Sequence, residues 1–169
     1  MLHIQKKIDY TSSHDVDIET VNKIIGTNYL GAMQCCFEFI RYIKKELDDN
    51  NEKKAHKSVI NILSNSIKTH HASNIIYTSS KAALQSLTES LALHYGKYAR
   101  FNAIAPGLMN SELTADRFEK VSKDIIKKTP IGRLVSPTEV SMLIKMLLTD
   151  MKSINGQIIY LDGGRTIGN

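Results

Sequence analysis

The sequence predicts an α/β unit built on a parallel sheet. Short apolar runs rich in β-branched residues alternate with helical stretches long enough to carry the chain back across a sheet between strands. Gly and Pro punctuate the boundaries between them. The 169 residues suffice for one domain with a sizeable core, and 42% hydrophobic with 23% charged residues is the balance of an ordinary globular protein.

From about Asp17 to Asp48, residues Val21, Ile24, Ile25, Asn28, Ala32, Cys36, Phe39, Ile43 and Leu47 recur at helical spacing and predict one long helix. The polar stretch from Asp49 to Lys57 reads as a surface loop before Ser58-Val59-Ile60-Asn61-Ile62-Leu63, a buried strand. A second helix is expected from Tyr77 to Tyr95, with Leu84, Leu87 and Leu91 on one stripe and Gly96 ending it. Phe101 to Ala105 follows as a strand stopped by Pro106-Gly107, and Ser111 to Lys128 reads as short amphipathic helices over a cleft. Ser136-Pro137-Thr138-Glu139 joins an N-cap, a proline at the first helical position and a glutamate at the third, so a helix starts there. Gln157 to Leu161 is the last strand, ending at Asp162-Gly163-Gly164. Three parallel strands make a small sheet for a doubly wound fold.

The net charge of +5 is diffuse, in pairs such as Lys44-Lys45 and Lys127-Lys128, with neither an aromatic-interleaved basic motif nor a helix-turn-helix; nucleic acid is not an expected partner. Cys35 and Cys36 are adjacent on a helix and point apart, which implies no disulfide framework and fits a reducing compartment. The segment Met1 to Lys7 is too polar for a signal peptide and no apolar run is long enough to span a bilayer, so a cytoplasmic location is expected. His70 and His71 lie in the loop before Tyr77 and read as exposed residues; no metal-ligand spacing recruits them.

Tyr77 and Lys81 stand four apart at the start of a helix and project from one face. An ammonium beside a phenol favours the phenolate, which suits a tyrosine to give and take protons below its usual range near pH 10. Ser64 lies at the end of the preceding strand, thirteen residues before Tyr77, with Ser66 as the competing hydroxyl; the spacing favours Ser64. Read in order, Thr27 to Gly31, Ser64, Tyr77-Thr78-Ser79-Ser80-Lys81, Arg100 to Gly107, Pro130 to Arg133, Ser136 to Val140, Asn155-Gly156-Gln157 and Asp162-Gly163-Gly164 resemble the short-chain dehydrogenase/reductase family over nearly the whole chain from the first helix onward.

The resemblance implies a Rossmann-like doubly wound parallel sheet and hydride transfer between NAD or NADP and a small-molecule carbonyl or alcohol. It implies Tyr77 as general acid or base, Lys81 as the group that lowers its pKa and holds the nicotinamide ribose, and Ser64 as the hydroxyl polarising the carbonyl. Asn28 matches the family's helix-kink asparagine, which helps hold a relay water. Pro106, Gly107, Leu108 and Ser111 match the segment that meets the nicotinamide carboxamide. A homodimer or homotetramer through helices 17–48 and 77–95 is the implied assembly. The pattern is nearest to 3-oxoacyl-(acyl carrier protein) reductases, with pteridine and sugar-modifying reductases as alternatives.

The glycine-rich turn that receives the pyrophosphate in that family has no counterpart in this sequence. Missing with it are the residue that selects NAD or NADP and the Asn-Asn-Ala-Gly motif, which counting back from Asn28 would place at about Met1 to Ile4. The expectation is an N-terminally truncated sheet lacking the first βαβ units, with residues 1–169 forming a single partial domain, the catalytic half. On this reading activity of the chain by itself is in question, and the alternative function is a non-catalytic dimerisation or interaction module.

Overall fold

The chain enters its first helix through a carboxylate cap. In the computed structural model, which describes residues 17–50, 57–70, 72, 74–109 and 122–167, Asp17 accepts the Glu19 amide at 3.0 Å and opens α1 (Ile18–Ile25). A five-residue π-helical segment (Gly26–Leu30) separates α1 from α2 (Gly31–Asn50), so the single helix expected from the periodicity is one rod with a π insertion in it. There follow β1 (Lys57–Ile62), a short α3 (Ser66–Thr69) that the sequence reading missed, and α4 (Ile75–Tyr95). The rest of the described fold is β2 (Ala99–Pro106), α5 (residues 122–127), α6 (Pro137–Thr149) and β3 (Ile158–Leu161).

The three strands form one parallel sheet in the order β1-β2-β3, as the alternation of strands and helices predicts. β1 and β2 pair from Lys57 opposite Ala99 to Ile62 opposite Ile104, and β2 pairs with β3 from Ala103 opposite Ile158 to Pro106 opposite Leu161. Every residue of β2 is buried, so it is the core strand. On one face Val59, Asn61, Leu63, Phe101, Ala103 and Ala105 pack against α2 and α4, with Cys36, Ile40, Leu84 and Leu91 completing two apolar clusters. On the other face Arg100 reaches the end of α6.

Two helix boundaries differ from expectation for local reasons. α4 starts two residues before Tyr77 because Asn74 caps it, its side-chain oxygen accepting the Ile76 amide at 2.7 Å. Gly96 does end α4, but in the right-handed region; glycine is needed because a Cβ would sit 2.6 Å from the Ala92 carbonyl oxygen and 2.9 Å from Asn155 Nδ2. The start of α6 is as read: Ser136 and Glu139 form a reciprocal capping box, with Pro137 in the first turn.

The loop from α6 into β3 is clamped to β2 by polar side chains. Arg100 donates to the carbonyls of Leu147 (2.8 Å), Met151 (2.8 Å) and Ile154 (3.1 Å). Asn102, fully buried, donates to Ile154 O and accepts from the Gln157 amide, while Asn155 accepts the Phe101 amide and donates to Ala92 O in α4. Replacing Arg100 with Met keeps the aliphatic stem but removes three hydrogen bonds and leaves the buried Leu147 carbonyl without its donor. We expect Arg100→Met to lose about 3 kcal/mol of unfolding free energy in urea; a loss below about 0.5 kcal/mol, the level of an ordinary surface change, would show that the clamp carries no stability.

Candidate active site

The C-terminal end of β1 delivers the first site residue. Backbone pairing continues past the strand, with Leu63 N donating to Ile104 O at 2.8 Å and Asn65 N to Pro106 O at 3.0 Å, so Ser64 is held between two ladder bonds. Its hydroxyl accepts the Ser66 amide at 3.2 Å and lies on the side of the Tyr77 phenol, where it favours the phenolate. The competing Ser66 lies buried in α3, and its own hydroxyl has no hydrogen-bond partner among the described residues. Of the two serines, Ser64 is the one whose hydroxyl acts on the Tyr77 phenol.

Tyr77 sits in the first turn of α4 with Lys81 one turn on. The Lys81 ammonium lies 5.8 Å from the centre of the Tyr77 ring and donates to Ile62 O in β1 at 2.8 Å. Burial raises the pKa of Tyr77, with the Ser64 hydrogen bond opposing it, and burial lowers that of Lys81 to about 8. The expected lowering of the Tyr77 pKa by Lys81 is therefore not what this arrangement shows. Removal of the phenol from water outweighs it, and the ammonium is engaged by a strand carbonyl.

Asn28 lies buried in the π-helical segment, where its side-chain amide donates to Ser80 Oγ at 3.2 Å; Ser80 Oγ in turn donates to the Tyr77 carbonyl at 2.7 Å. This relay ties the π insertion to the first turn of α4, and Ser80, wholly buried, is a site neighbour the sequence reading did not single out. A small polar residue three after Tyr77 was the available signal.

Pro106, Gly107 and Leu108 emerge from the C-terminal end of β2 beside Ser64, the Gly107 amide donating to Leu161 O at 2.9 Å and Leu108 O accepting from Val135 N at 3.2 Å. A Cβ on Gly107 would meet Asp162 Cα at 3.1 Å, so close approach of the β3 turn requires glycine there. Ser111 and His71 lie outside the described residues, and His70 is exposed in a left-handed conformation. Among the described residues no cluster of His, Cys, Asp or Glu could hold a metal ion, and no helix is long and apolar enough to cross a membrane.

A cleft of about 350 Å³ opens beside this cluster. The π segment and α2 line it through Thr27, Asn28, Ala32 and Cys35, β1 through Ile60 and Ile62, and Lys81 stands at its end.

Comparison with known proteins gives the family of the fold. Residues 4–166 match the family model described as enoyl-(acyl carrier protein) reductase. The chain is 31% identical over 147 residues to carbonyl reductase family member 4 of Danio rerio, covering 86% of this chain and 56% of that protein. It is 30% identical over 151 residues to 3-oxoacyl-(acyl carrier protein) reductase of Thermotoga maritima, covering 88% and 58%. The structure of 4-hydroxyisoleucine dehydrogenase complexed with NADH superposes with a TM-score of 0.81 at 26% identity, over 91% of this chain and 62% of that one. The chain thus spans under two thirds of the length of each, and its sheet is part of their Rossmann-type fold. Over the matched length, the chain belongs to the short-chain dehydrogenase/reductase family.

Proposed function

We propose that this chain, residues 1–169 as one catalytic unit, serves an NAD(P)-dependent oxidoreductase acting on a carbonyl or alcohol carbon. One observation carries the proposal: Ser64 at the C-terminal end of β1, Tyr77 in the first turn of α4 and Lys81 one helical turn on are brought together at one edge of the sheet, the Lys81 ammonium 5.8 Å from the Tyr77 ring centre. The names of its relatives, a carbonyl reductase and an oxoacyl reductase, support a carbonyl substrate, and the NADH-complexed neighbour supports a nicotinamide cofactor.

The residues present fit the nicotinamide end of such a cofactor. Lys81 and Tyr77 offer an ammonium and a hydroxyl side by side for ribose hydroxyls, and the turn Pro106-Gly107-Leu108 supplies backbone beside them, continued in the sequence to Ser111. The pyrophosphate end has no glycine-rich cradle in this sequence, so that half of the cofactor needs groups from elsewhere. When bound, the nicotinamide supplies or accepts the hydride.

The chain's own residues manage the proton. With its pKa raised, Tyr77 stays protonated through neutral pH and can give its proton to a carbonyl oxygen in reduction. Ser64 is placed to hydrogen-bond the same oxygen, because its backbone is pinned by the ladder on both sides. Lys81, a cation below about pH 8, stabilises the phenolate left behind. Asn28, through Ser80, is a positioning residue for the Tyr77 turn, and a water held at the π segment would connect the site to solvent. We extend the proposal to pairing of two copies through helices 17–48 and 77–95, on which Tyr42 and Leu93 stand exposed.

Carbonyl reduction followed by the absorbance of NADH or NADPH tests this. Tyr77→Phe is expected to lower kcat about 100-fold or more and Ser64→Ala by a comparable factor. Unchanged kcat in Tyr77→Phe would end the proposal. A second outcome concerns Lys81. Its folded pKa lies below the unfolded value of 10.5, so the unfolded chain binds the extra proton between about pH 8 and pH 10.5. Stability relative to Lys81→Met should therefore rise through that window, by about 3 kcal/mol in all. A stability difference independent of pH would show that Lys81 titrates normally.

A further inference from the structure

Asn65 follows Ser64 and stands at the N-cap of α3, a place where an asparagine side chain ordinarily accepts an amide of the first turn. Here it makes no such bond. Its backbone is already in the right-handed region (φ −65°, ψ −12°), and the two amides it could accept are taken by carbonyls, Ile67 N by Ser64 O at 3.3 Å and Lys68 N by Asn65 O at 3.0 Å. The backbone of Asn65 is fully engaged as well, its amide donating to Pro106 O at 3.0 Å. What is left over is the side-chain amide, which makes no hydrogen bond among the described residues. It is half-buried and lines a small pocket with Gly107, Leu108, Arg133, Val135 and Asp162.

We infer that Asn65 is a specificity-determining residue, whose side-chain amide hydrogen-bonds a second, uncharged polar group on the carbon next to the reacting carbonyl. The inference rests on the hydride-transfer reading above, which gives the turn Pro106-Gly107-Leu108 to the nicotinamide and the carbonyl oxygen to Ser64 and Tyr77. Asn65 faces that turn from one residue beyond Ser64, with about 3.8 Å between their Cα atoms, so a group it binds lies close to the reacting carbon. The charges of the lining are already engaged. Arg133 is held by both oxygens of Glu139 at 2.9 and 2.8 Å, Asp162 accepts the amides of Gly164 and Thr166, and Arg165, also in the lining, has a partner of its own. An anionic substituent therefore finds no uncommitted cation there. A hydroxyl or a second carbonyl does find its match in a carboxamide, which offers two donors and an acceptor.

Hydroxyacetone and butanone, which differ by a hydroxyl in place of a methyl, test the inference in two ways. In the isotope-labelled chain, the side-chain amide signal of Asn65, identified by its loss in Asn65→Leu, is expected to shift saturably with hydroxyacetone and to stay in place with butanone. In reduction by NADH or NADPH, the ratio of kcat/KM for hydroxyacetone to that for butanone should fall about tenfold in Asn65→Leu, the loss of one hydrogen bond. A merely structural role, in which the substitution displaced Ser64, would slow both ketones and leave the ratio alone, as Ser64→Ala should. The inference is overturned by a ratio within about twofold of the native one in Asn65→Leu, or by an amide signal that the two ketones move alike. Reduction of neither ketone with the hydroxyacetone shift intact would end the hydride-transfer reading and leave the hydroxyl-binding role of Asn65 standing.

Discussion

The fully buried strand β2 is the constraint from which the site follows. Its neighbours are both parallel to it, so the ends of β1, β2 and β3 come out on one side of the sheet, and Ser64, Gly107 and Asp162 emerge there as neighbours. Holding that arrangement is the work of the opposite end. Arg100, Asn102 and Asn155 fasten the α6–β3 loop to β2 and to α4, which fixes the register of β3. A slip of β3 by one residue would turn its side chains over and remove the contact between Gly107 and Asp162. The chemistry at one end of the sheet depends on a polar clamp at the other.

A second dependence runs through the helices. The π insertion puts Asn28 toward α4, and the Asn28–Ser80–Tyr77 relay sets the first turn of that helix, where Tyr77 sits. One face lower, the buried chain from Cys36 through Asn61 to Thr88 links α2, β1 and α4. Buried polar groups of this kind are costly unless paired, so the pairings specify a single arrangement of the three elements.

Most of the fold was legible because each long element carries its own period. Leu84, Leu87 and Leu91 mark α4, and the box Ser136 to Glu139 marks the start of α6 through a mechanism confined to four residues. Ser64, Tyr77 and Lys81 were legible through their order and spacing. What the sequence hid depends on partners distant along the chain. Lys81 takes the carbonyl of Ile62, nineteen residues earlier, and Arg100 takes carbonyls more than forty residues later. No local pattern announces either. The π insertion was hidden for another reason: one added residue in a helical turn leaves the apolar spacing almost unchanged.

The two perturbed groups of the site meet in one physical balance. Desolvation pushes Tyr77 and Lys81 toward their neutral forms, the first by raising its pKa and the second by lowering its own to about 8. Taken alone this would weaken the pair as a proton relay, since a neutral amine does little to stabilise a phenolate. At about 8 the Lys81 pKa still leaves it charged near neutrality, and its hydrogen bond to the Ile62 carbonyl holds the ammonium 5.8 Å from the phenol ring centre.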